Sequence, residues 1–466
     1  MNIQAPIPPS GARLDYAPRM FCLTPLHLAY IASHPLPPAP PRVAAADRVT
    51  CIEPGQLARA QGLTGTFETT YETEHFLLAW NEGDITEAQV DTYAAALEAS
   101  WTVQIDTLGW MPPSQTDACR ITVLAAEFDK SWGDTGGYTD VNEDGGVPYI
   151  VLNVAWLADG EDWTNTLVAH EFNHASQFAY DVFWDETDWW YWESTAEWMA
   201  DVVYDDADTY TWSLWSYLDA PWRSLESMSA TVQYGHFAFN THLEETWDRD
   251  TPRAVWAAAG SGSMDDAVVA VTGAEFTEVV ADYSSRVAAL DVEERDVWLE
   301  AIGYFEMDPW THVTTYPAEG QVTGRESPQE QGQTFFQLGG APGGTVHVSV
   351  VGEPTVDGVA TDLVVTVAEV GADGTSHRWE AGADGVVDVD IEGLGDTLTD
   401  VYLAVVPMGD IGEEGVPFDW SITVTPADED TGAPDEDEAP NACGCATPTN
   451  PSWFLALPLL LLVRRR

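Results

Sequence analysis

The chain has 466 residues, 45% of them hydrophobic and 21 of them Trp, enough apolar material for folded cores in two or three domains and too much for a disordered polymer. Against 17 Lys and Arg stand 77 Asp and Glu, a formal net charge of -60, so there is no basic footprint for a phosphate backbone and nucleic acid is excluded as a partner. An acidic surface of this kind is first of all a solvated face that keeps a protein soluble in crowded or salty surroundings.

Residues 1–46 read as a leader. An apolar run from Phe21 to Ala32 follows Arg13 and Arg19, and a Pro-rich stretch then leads to Ala44-Ala45-Ala46, a small-residue cleavage site. Pro25 and His27 interrupt the apolar run, so a disordered N-terminal arm is the competing reading, and Met20 is an alternative start. A folded domain is expected over 47–306. His75–Trp80 reads as a strand, Glu87–Val103 as an amphipathic helix, Arg120–Ala125 as a second strand, Gly133–Gly146 as a Gly-rich loop and Tyr149–Asn153 as a third strand. Helical spacing then runs through Thr164–Tyr180, Glu193–Tyr204, Tyr234–Trp247, Arg253–Ala258, Met264–Val271 and Phe276–Leu290. Past Trp310 the texture changes to short β-branched runs separated by Gly and Asp, which predicts an all-β sandwich over 307–426. An acidic linker, 427–440, and a tail, 441–466, complete the chain.

The five cysteines divide by position. Cys22 falls in the leader and Cys443 and Cys445 in the tail, which leaves Cys51 and Cys119 as the pair for a disulfide in the folded body. Asp140-Val141-Asn142-Glu143-Asp144-Gly145 copies the first half of a calcium loop, with alternating oxygen ligands at Asp140, Asn142 and Asp144. Its twelfth position is Val151 rather than Glu, so an EF-hand is excluded. A Ca²⁺ site completed by ligands from elsewhere and a plain acidic turn both remain open.

The sharpest motif is His170-Glu171-Phe172-Asn173-His174. Positions i and i+4 of a helix lie about 40° apart around its axis, so His170 and His174 project from one face and can share a metal ion. Two neutral imidazoles suit Zn²⁺, and the neighbouring Glu171 is placed to take a proton from water. Eighteen residues after His174 comes Trp192-Glu193-Ser194-Thr195-Ala196-Glu197-Trp198, a second helical stretch whose flanking Trp and Ala suggest burial. Two unpaired carboxylates on one buried face are costly, and a divalent cation removes that cost.

With this spacing the sequence resembles the gluzincin metallopeptidases, which include thermolysin-like and aminopeptidase-N-like enzymes. The resemblance implies a zincin-like α+β catalytic domain, a mixed sheet followed by a helical subdomain. It implies Zn²⁺ held by His170, His174 and Glu193, with Glu197 orienting the first His and Glu171 as the base; the reversed roles of Glu193 and Glu197 are the internal alternative. The oxyanion donor would be Tyr234 or His236, beside Gly235, a glycine that would let substrate approach closely. The strand at Tyr149–Asn153 would pair with an extended peptide substrate. The Gly-x-Met-Glu-Asn signature that captures a substrate amine in the aminopeptidase branch is absent, which points to an endopeptidase.

At the other end, Asn441-Ala442-Cys443-Gly444-Cys445, the apolar run Trp453–Val463 and Arg464-Arg465-Arg466 follow one another. Eleven residues rise only about 16 Å as a helix, short of a hydrocarbon core of about 30 Å. The order resembles the myxobacterial C-terminal sorting signal (MYXO-CTERM). That resemblance implies handling by export and sorting machinery, processing near the cysteines, and surface attachment or release. Two rival functions stand beside the peptidase: a surface binding or adhesive protein with an inactive zincin domain, and a zinc hydrolase of non-peptide amides.

Overall fold

The computed structural model describes residues 48–426, apart from 129–134, 143–145, 230, 261, 341–342, 357, 383–384, 410 and 412–413. The leader, the linker and the tail with Cys443 and Cys445 lie outside the described residues, as does Asp144.

Apolar runs without alternation form the centre of the first sheet, because their strands are covered on both faces. The sheet contains β1 (Val49–Thr50), β2 (Thr69–Glu72), β3 (Phe76–Trp80), β4 (Cys119–Ala126), β5 (Gly137–Val141) and β6 (Pro148–Asn153), in the order β2-β3-β4-β6-β5, with β1 paired to the start of β4. β3, β4 and β6 are parallel, while β2 and β5 run antiparallel at the two ends. Helix α1 (Pro54–Ala60) packs through Leu57 and Ala58 on one face, with Ala79, Leu124 and Val151. Phe76, Leu78, Ile121, Val123, Ile150 and Leu152 point to the other face, where they meet α2 (Glu87–Trp101) and α3 (Glu161–Tyr180). The disulfide Cys51–Cys119 forms as expected, with Cα atoms 5.5 Å apart. Residues 48–63 are therefore part of the fold, built in through β1, α1 and this bond.

Two sequence expectations need correction here. The Gly-rich loop contains β5, whose five residues Gly-Tyr-Thr-Asp-Val are too few to read as a strand until β6 lies beside them. β6 is hydrogen-bonded on both sides, to β4 and β5, so Tyr149–Asn153 offers no edge to a substrate.

The chain then becomes helical: α4 (Trp189–Val203), α5 (Thr211–Leu218), α6 (Val232–Gly235), α7 (Phe237–Thr246), α8 (Thr251–Ala258), α9 (Met264–Thr272), α10 (Phe276–Ala289) and α11 (Arg295–Tyr304). The expected helix over Tyr234–Trp247 is split at His236 into α6 and α7. A Cβ on Gly235 would lie 2.5 Å from both the Ser213 carbonyl and Tyr217 Cβ, so this glycine serves the close approach of α6 to α5 and not that of a substrate.

The sandwich comprises β7 (Trp310–Val313), β8 (Ala318–Val322), β9 (Thr334–Leu338), β10 (Gly344–Gly352), the β11–β12 hairpin (Thr355–Val356, Val359–Ala360), β13 (Asp362–Gly371), β14 (Gly374–Gly382), β15 (Val386–Glu392), β16 (Leu398–Met408) and β17 (Phe418–Pro426). Its sheets, β15-β10-β17-β8 and β14-β13-β16-β9-β7, enclose alternating Val, Leu and Ile side chains such as Val348, Val365, Val389 and Leu403. The outer face of the five-stranded sheet is apolar too, and Val364, Ala404, Val406 and Met408 join the core of the helical region beside α10. Overall the molecule is a mixed α/β protein with a mixed sheet, a helical region and largely antiparallel sheets. No helix among the described residues is long and apolar enough to cross a membrane.

Candidate metal centre

Helix α3 carries the histidine motif directly after the sheet. Glu161 and Asp162 in its first turn favour its N-terminus, and Leu167, Val168, Phe172 and Ala175 bury one stripe against the sheet. Its flank is fastened by Gln104, in a π-helical turn after α2, which donates to the Ala169 carbonyl at 2.9 Å and accepts from Asn173 Nδ2 at 3.1 Å. The opposite flank faces α4, where Glu193 and Glu197 lie one turn apart.

The two helices bring three ligand-type side chains together. His170 Nε2 lies 3.1 Å from His174 Nε2 and 3.2 Å from Glu193 Oε2, and His174 Nε2 lies 3.6 Å from Glu193 Oε1. Among the described residues this is the one group of three or more His, Cys, Asp or Glu whose ligand atoms converge, all within 4.8 Å. Two imidazole nitrogens 3.1 Å apart, both aimed inward, cannot both present lone pairs without a proton or a cation between them. The ring atoms pointing away are held: His170 Nδ1 by Glu197 Oε2 at 3.2 Å, whose Oε1 accepts from Ser213 Oγ at 2.7 Å, and His174 Nδ1 by Gln177 Oε1 at 2.6 Å. The outcome places Glu193 at the centre and Glu197 behind His170.

Glu171 lies beside this group. Its Oε2 is 2.8 Å from the Thr139 hydroxyl on β5, whereas the fully buried Oε1 has no hydrogen-bond partner among the described residues, and neither has Glu193 Oε1. His170, Glu171, His174 and Glu193 are each at most 1% exposed. Burial pushes the Glu171 pKa up, against the pull of His174, His170 and the Thr139 bond. Burial alone would push His170 down, but its bonds to Glu193 and Glu197, and their charges, carry it up to about 10. For Glu193 burial works upward and is outweighed by His174 and His170, which hold it down at about 2.

Of the two expected oxyanion donors the structure brings Tyr234 to the centre, its ring centroid 5.9 Å from that of His170. His236 is turned into the helical core against Trp190 and Tyr217, at 5.7 and 5.4 Å, and burial pushes its pKa down to about 3. A neutral imidazole packed between aromatic rings there serves the core. In the acidic stretch, Asp140 accepts from the Val141 amide at 2.7 Å and from the Tyr149 hydroxyl at 3.0 Å, and Asn142 Oδ1 accepts from the Val147 amide at 2.8 Å. The described part of that motif closes the β5–β6 hairpin. Thr139, Gln177 and Ser213 are the site residues that the sequence reading missed; of these only Gln177, three residues beyond His174 on the same helix, carried a spacing signal.

A second alignment resembles a nucleophilic relay: Ser285 Oγ is 2.9 Å from His377 Nδ1, and His377 Nε2 is 2.8 Å from Asp291 Oδ2, beside a cavity of about 460 Å³. Ser285 is buried within α10, where the neighbouring amides are committed to the helix and none is free to stabilise an oxyanion. The three residues clasp β14 to the helical region.

The fold and the site together define an α/β protein with a buried two-histidine, one-carboxylate centre carried on two facing helices. The chain belongs to DUF6055, a family of unknown function whose sequence pattern matches residues 58–378. No curated protein matches it. Among solved structures, it is similar to a family GH115 4-O-methyl-alpha-glucuronidase with specificity for decorated arabinogalactans, at 11% identity and a TM-score of 0.16, over 58% of this chain and 39% of that one. A likeness at that TM-score carries no argument about fold or chemistry.

Proposed function

We propose that the protein is a zinc-dependent peptidase of the gluzincin type, an endopeptidase acting on protein or peptide substrates. One observation carries the reading: two imidazole Nε2 atoms and a carboxylate converge within 4.8 Å while the adjacent carboxylate Glu171 keeps a buried oxygen without a partner among the described residues. The donor set fits zinc. Tetrahedral bonds of about 2.0–2.1 Å set neighbouring ligand atoms roughly 3.4 Å apart, against the observed 3.1, 3.2 and 3.6 Å. Mg²⁺ and Ca²⁺ prefer all-oxygen sites. A parallel sheet with antiparallel ends, followed at once by the motif helix, supports a zincin-like catalytic domain.

His170, His174 and Glu193 would hold the metal, which when bound supplies a Lewis acid that polarises a carbonyl and acidifies water. Glu171 takes the proton of the attacking water on Oε1 and returns it to the leaving amine, and its burial makes it a stronger base than an exposed carboxylate. Thr139 steadies Oε2 during both transfers. Tyr234 donates to the developing oxyanion. The outer edge of β5 replaces β6 as the strand beside the substrate. Export is part of the proposal and is supported by the Cys51–Cys119 disulfide, since such bonds persist in oxidising compartments.

A second reading, an inactive zincin domain whose metal only ties α3 to α4, is favoured by the near-complete burial of the ligands and of Glu171. Metal content and casein cleavage of the wild type and Glu171→Gln separate the two. The peptidase reading expects equal zinc in both and a loss of cleavage of about 10²–10⁴-fold in the variant. A zinc-loaded wild type that cleaves neither casein nor a peptide library establishes the inactive reading, and a metal-free wild type overturns both.

A further inference from the structure

We propose that Gln177 is a positioning residue of the metal centre: through one amide it dictates which nitrogen of His174 faces the metal, and it locks the two metal-bearing helices together. The inference rests on the metal-centre reading above. Gln177 is fully buried on α3, with Oε1 2.6 Å from His174 Nδ1 and Nε2 3.0 Å from the carbonyl of Trp192 on α4.

The direction of both bonds follows from elementary donor and acceptor rules. A backbone carbonyl only accepts, so the end of the amide that faces Trp192 is its NH₂. The other end, facing His174, is then the oxygen, which also only accepts. His174 Nδ1 must therefore carry the hydrogen, and Nε2, the atom 3.1 Å from His170 Nε2, is left with its lone pair toward the centre. The carbonyl of Trp192 thus decides the tautomer of a residue on another helix. Trp192 directly precedes Glu193, so the same bond fixes where the third ligand begins. The Trp192 ring is tilted 27° from that of His174, with centroids 6.5 Å apart.

The two histidines are supported differently. His170 is backed by the carboxylate of Glu197, itself held by Ser213, whereas His174 is backed by a neutral amide. Three carboxylates, Glu171, Glu193 and Glu197, already surround the centre. A fourth at position 177 would add negative charge and draw electrophilicity from the metal. An amide supplies the acceptor without the charge.

The test uses the full chain with Gln177→Met, of similar length but without polar atoms, and Gln177→Glu, which keeps the acceptor. Zinc affinity is measured by chelator competition, the Co²⁺-substituted protein by its visible spectrum, and the metal-free proteins by thermal melting. Gln177→Met is expected to bind zinc about 10–100-fold more weakly with an altered cobalt spectrum. Gln177→Glu is expected to recover affinity to within about tenfold of wild type while cleaving more slowly at unchanged KM. A Gln177→Met protein that binds zinc within twofold of wild type and keeps its cobalt spectrum overturns the proposal. Gln177→Glu also gives up the donor to the Trp192 carbonyl, so a weakening it fails to rescue overturns the proposal if its metal-free form melts like wild type, and assigns the effect to the lock between the helices if that form melts lower. If Gln177→Met does not fold, the Gln177→Glu affinity and spectrum decide alone. A wild type that takes up neither zinc nor cobalt overturns the underlying metal-centre reading, whatever the variants do.

Discussion

Glu171, the base of the proposed mechanism, is carried on α3 but confined by a strand. A Cβ built on Gly137 of β5 would lie 3.0 Å from Glu171 Oε1 and 3.2 Å from its Cγ, closer than side chains normally tolerate. Gly137→Ala is expected to displace Glu171 while leaving the three ligands in place. Cleavage should fall by about tenfold or more with zinc content near wild type, and because the added Cβ also meets the Val151 carbonyl at 3.0 Å the melting temperature should drop as well; an equally active variant would show that Glu171 has room to spare. His170, Glu171, His174, Glu193 and Glu197 were legible in the sequence because a helix imposes fixed angular spacing and the gap between the two motifs resembles a known family. Thr139 and Ser213 were not, because each reaches the site through tertiary packing that no local spacing encodes.

Elements were legible where periodicity was long. α3 and α4 begin only three or four residues before their expected starts, and the β-branched runs expected to build the sandwich, such as Val346–Val350, Leu363–Val370 and Val401–Val406, lie within β10, β13 and β16. Short or polar elements were missed: α1, α5 and α11 among helices, and β14, an edge strand whose outward polar residues hide its register. β5 was missed because it has only five residues and lies inside a Gly-rich stretch. The break between α6 and α7 has a packing cause at Gly235, where an added Cβ would meet the Ser213 carbonyl and Tyr217 at 2.5 Å. Gly235→Ala should destabilise the protein by about 1–3 kcal/mol, read as a lower denaturant midpoint. Because Ser213 also holds Glu197, zinc affinity should fall with it; an unchanged midpoint would mean that α5 and α6 can part without cost.

At the scale of the molecule, charge sets the pH response. Burial, reinforced by neighbouring carboxylates, pushes Asp188 up to about 6, Asp265 to about 7 and Asp201 to about 8, from an ordinary 3.8. From pH 4 to 8 these three carboxyls hold protons in the native state that the unfolded chain has released, so their contribution to stability falls as pH rises, while His236 and His242, pushed down to about 3 by burial, act in the opposite sense below about pH 6.5 and offset part of it. Relief of the repulsion within a chain of net charge -60 works in the same direction as the carboxyls. The chelated protein should melt at a higher temperature at pH 5 than at pH 8, and a reversed order would show that these carboxyls are ionised in the fold. The sandwich shares the apolar core of the helical region through Val364, Ala404, Val406 and Met408, so acid and base act on one cooperative body.

The covalent link between Cys51 and Cys119 divides that body in a different respect. It closes a loop of 68 residues that contains α1, β2, β3 and α2, most of the scaffold under the motif helix, and nothing of the sandwich. Closing a loop of that length removes conformational freedom worth about 4 kcal/mol from the unfolded chain in the entropic account. The thiol redox balance of the surroundings is therefore felt first by the half of the molecule that bears the candidate metal centre, and oxidising surroundings are where that half is most secure.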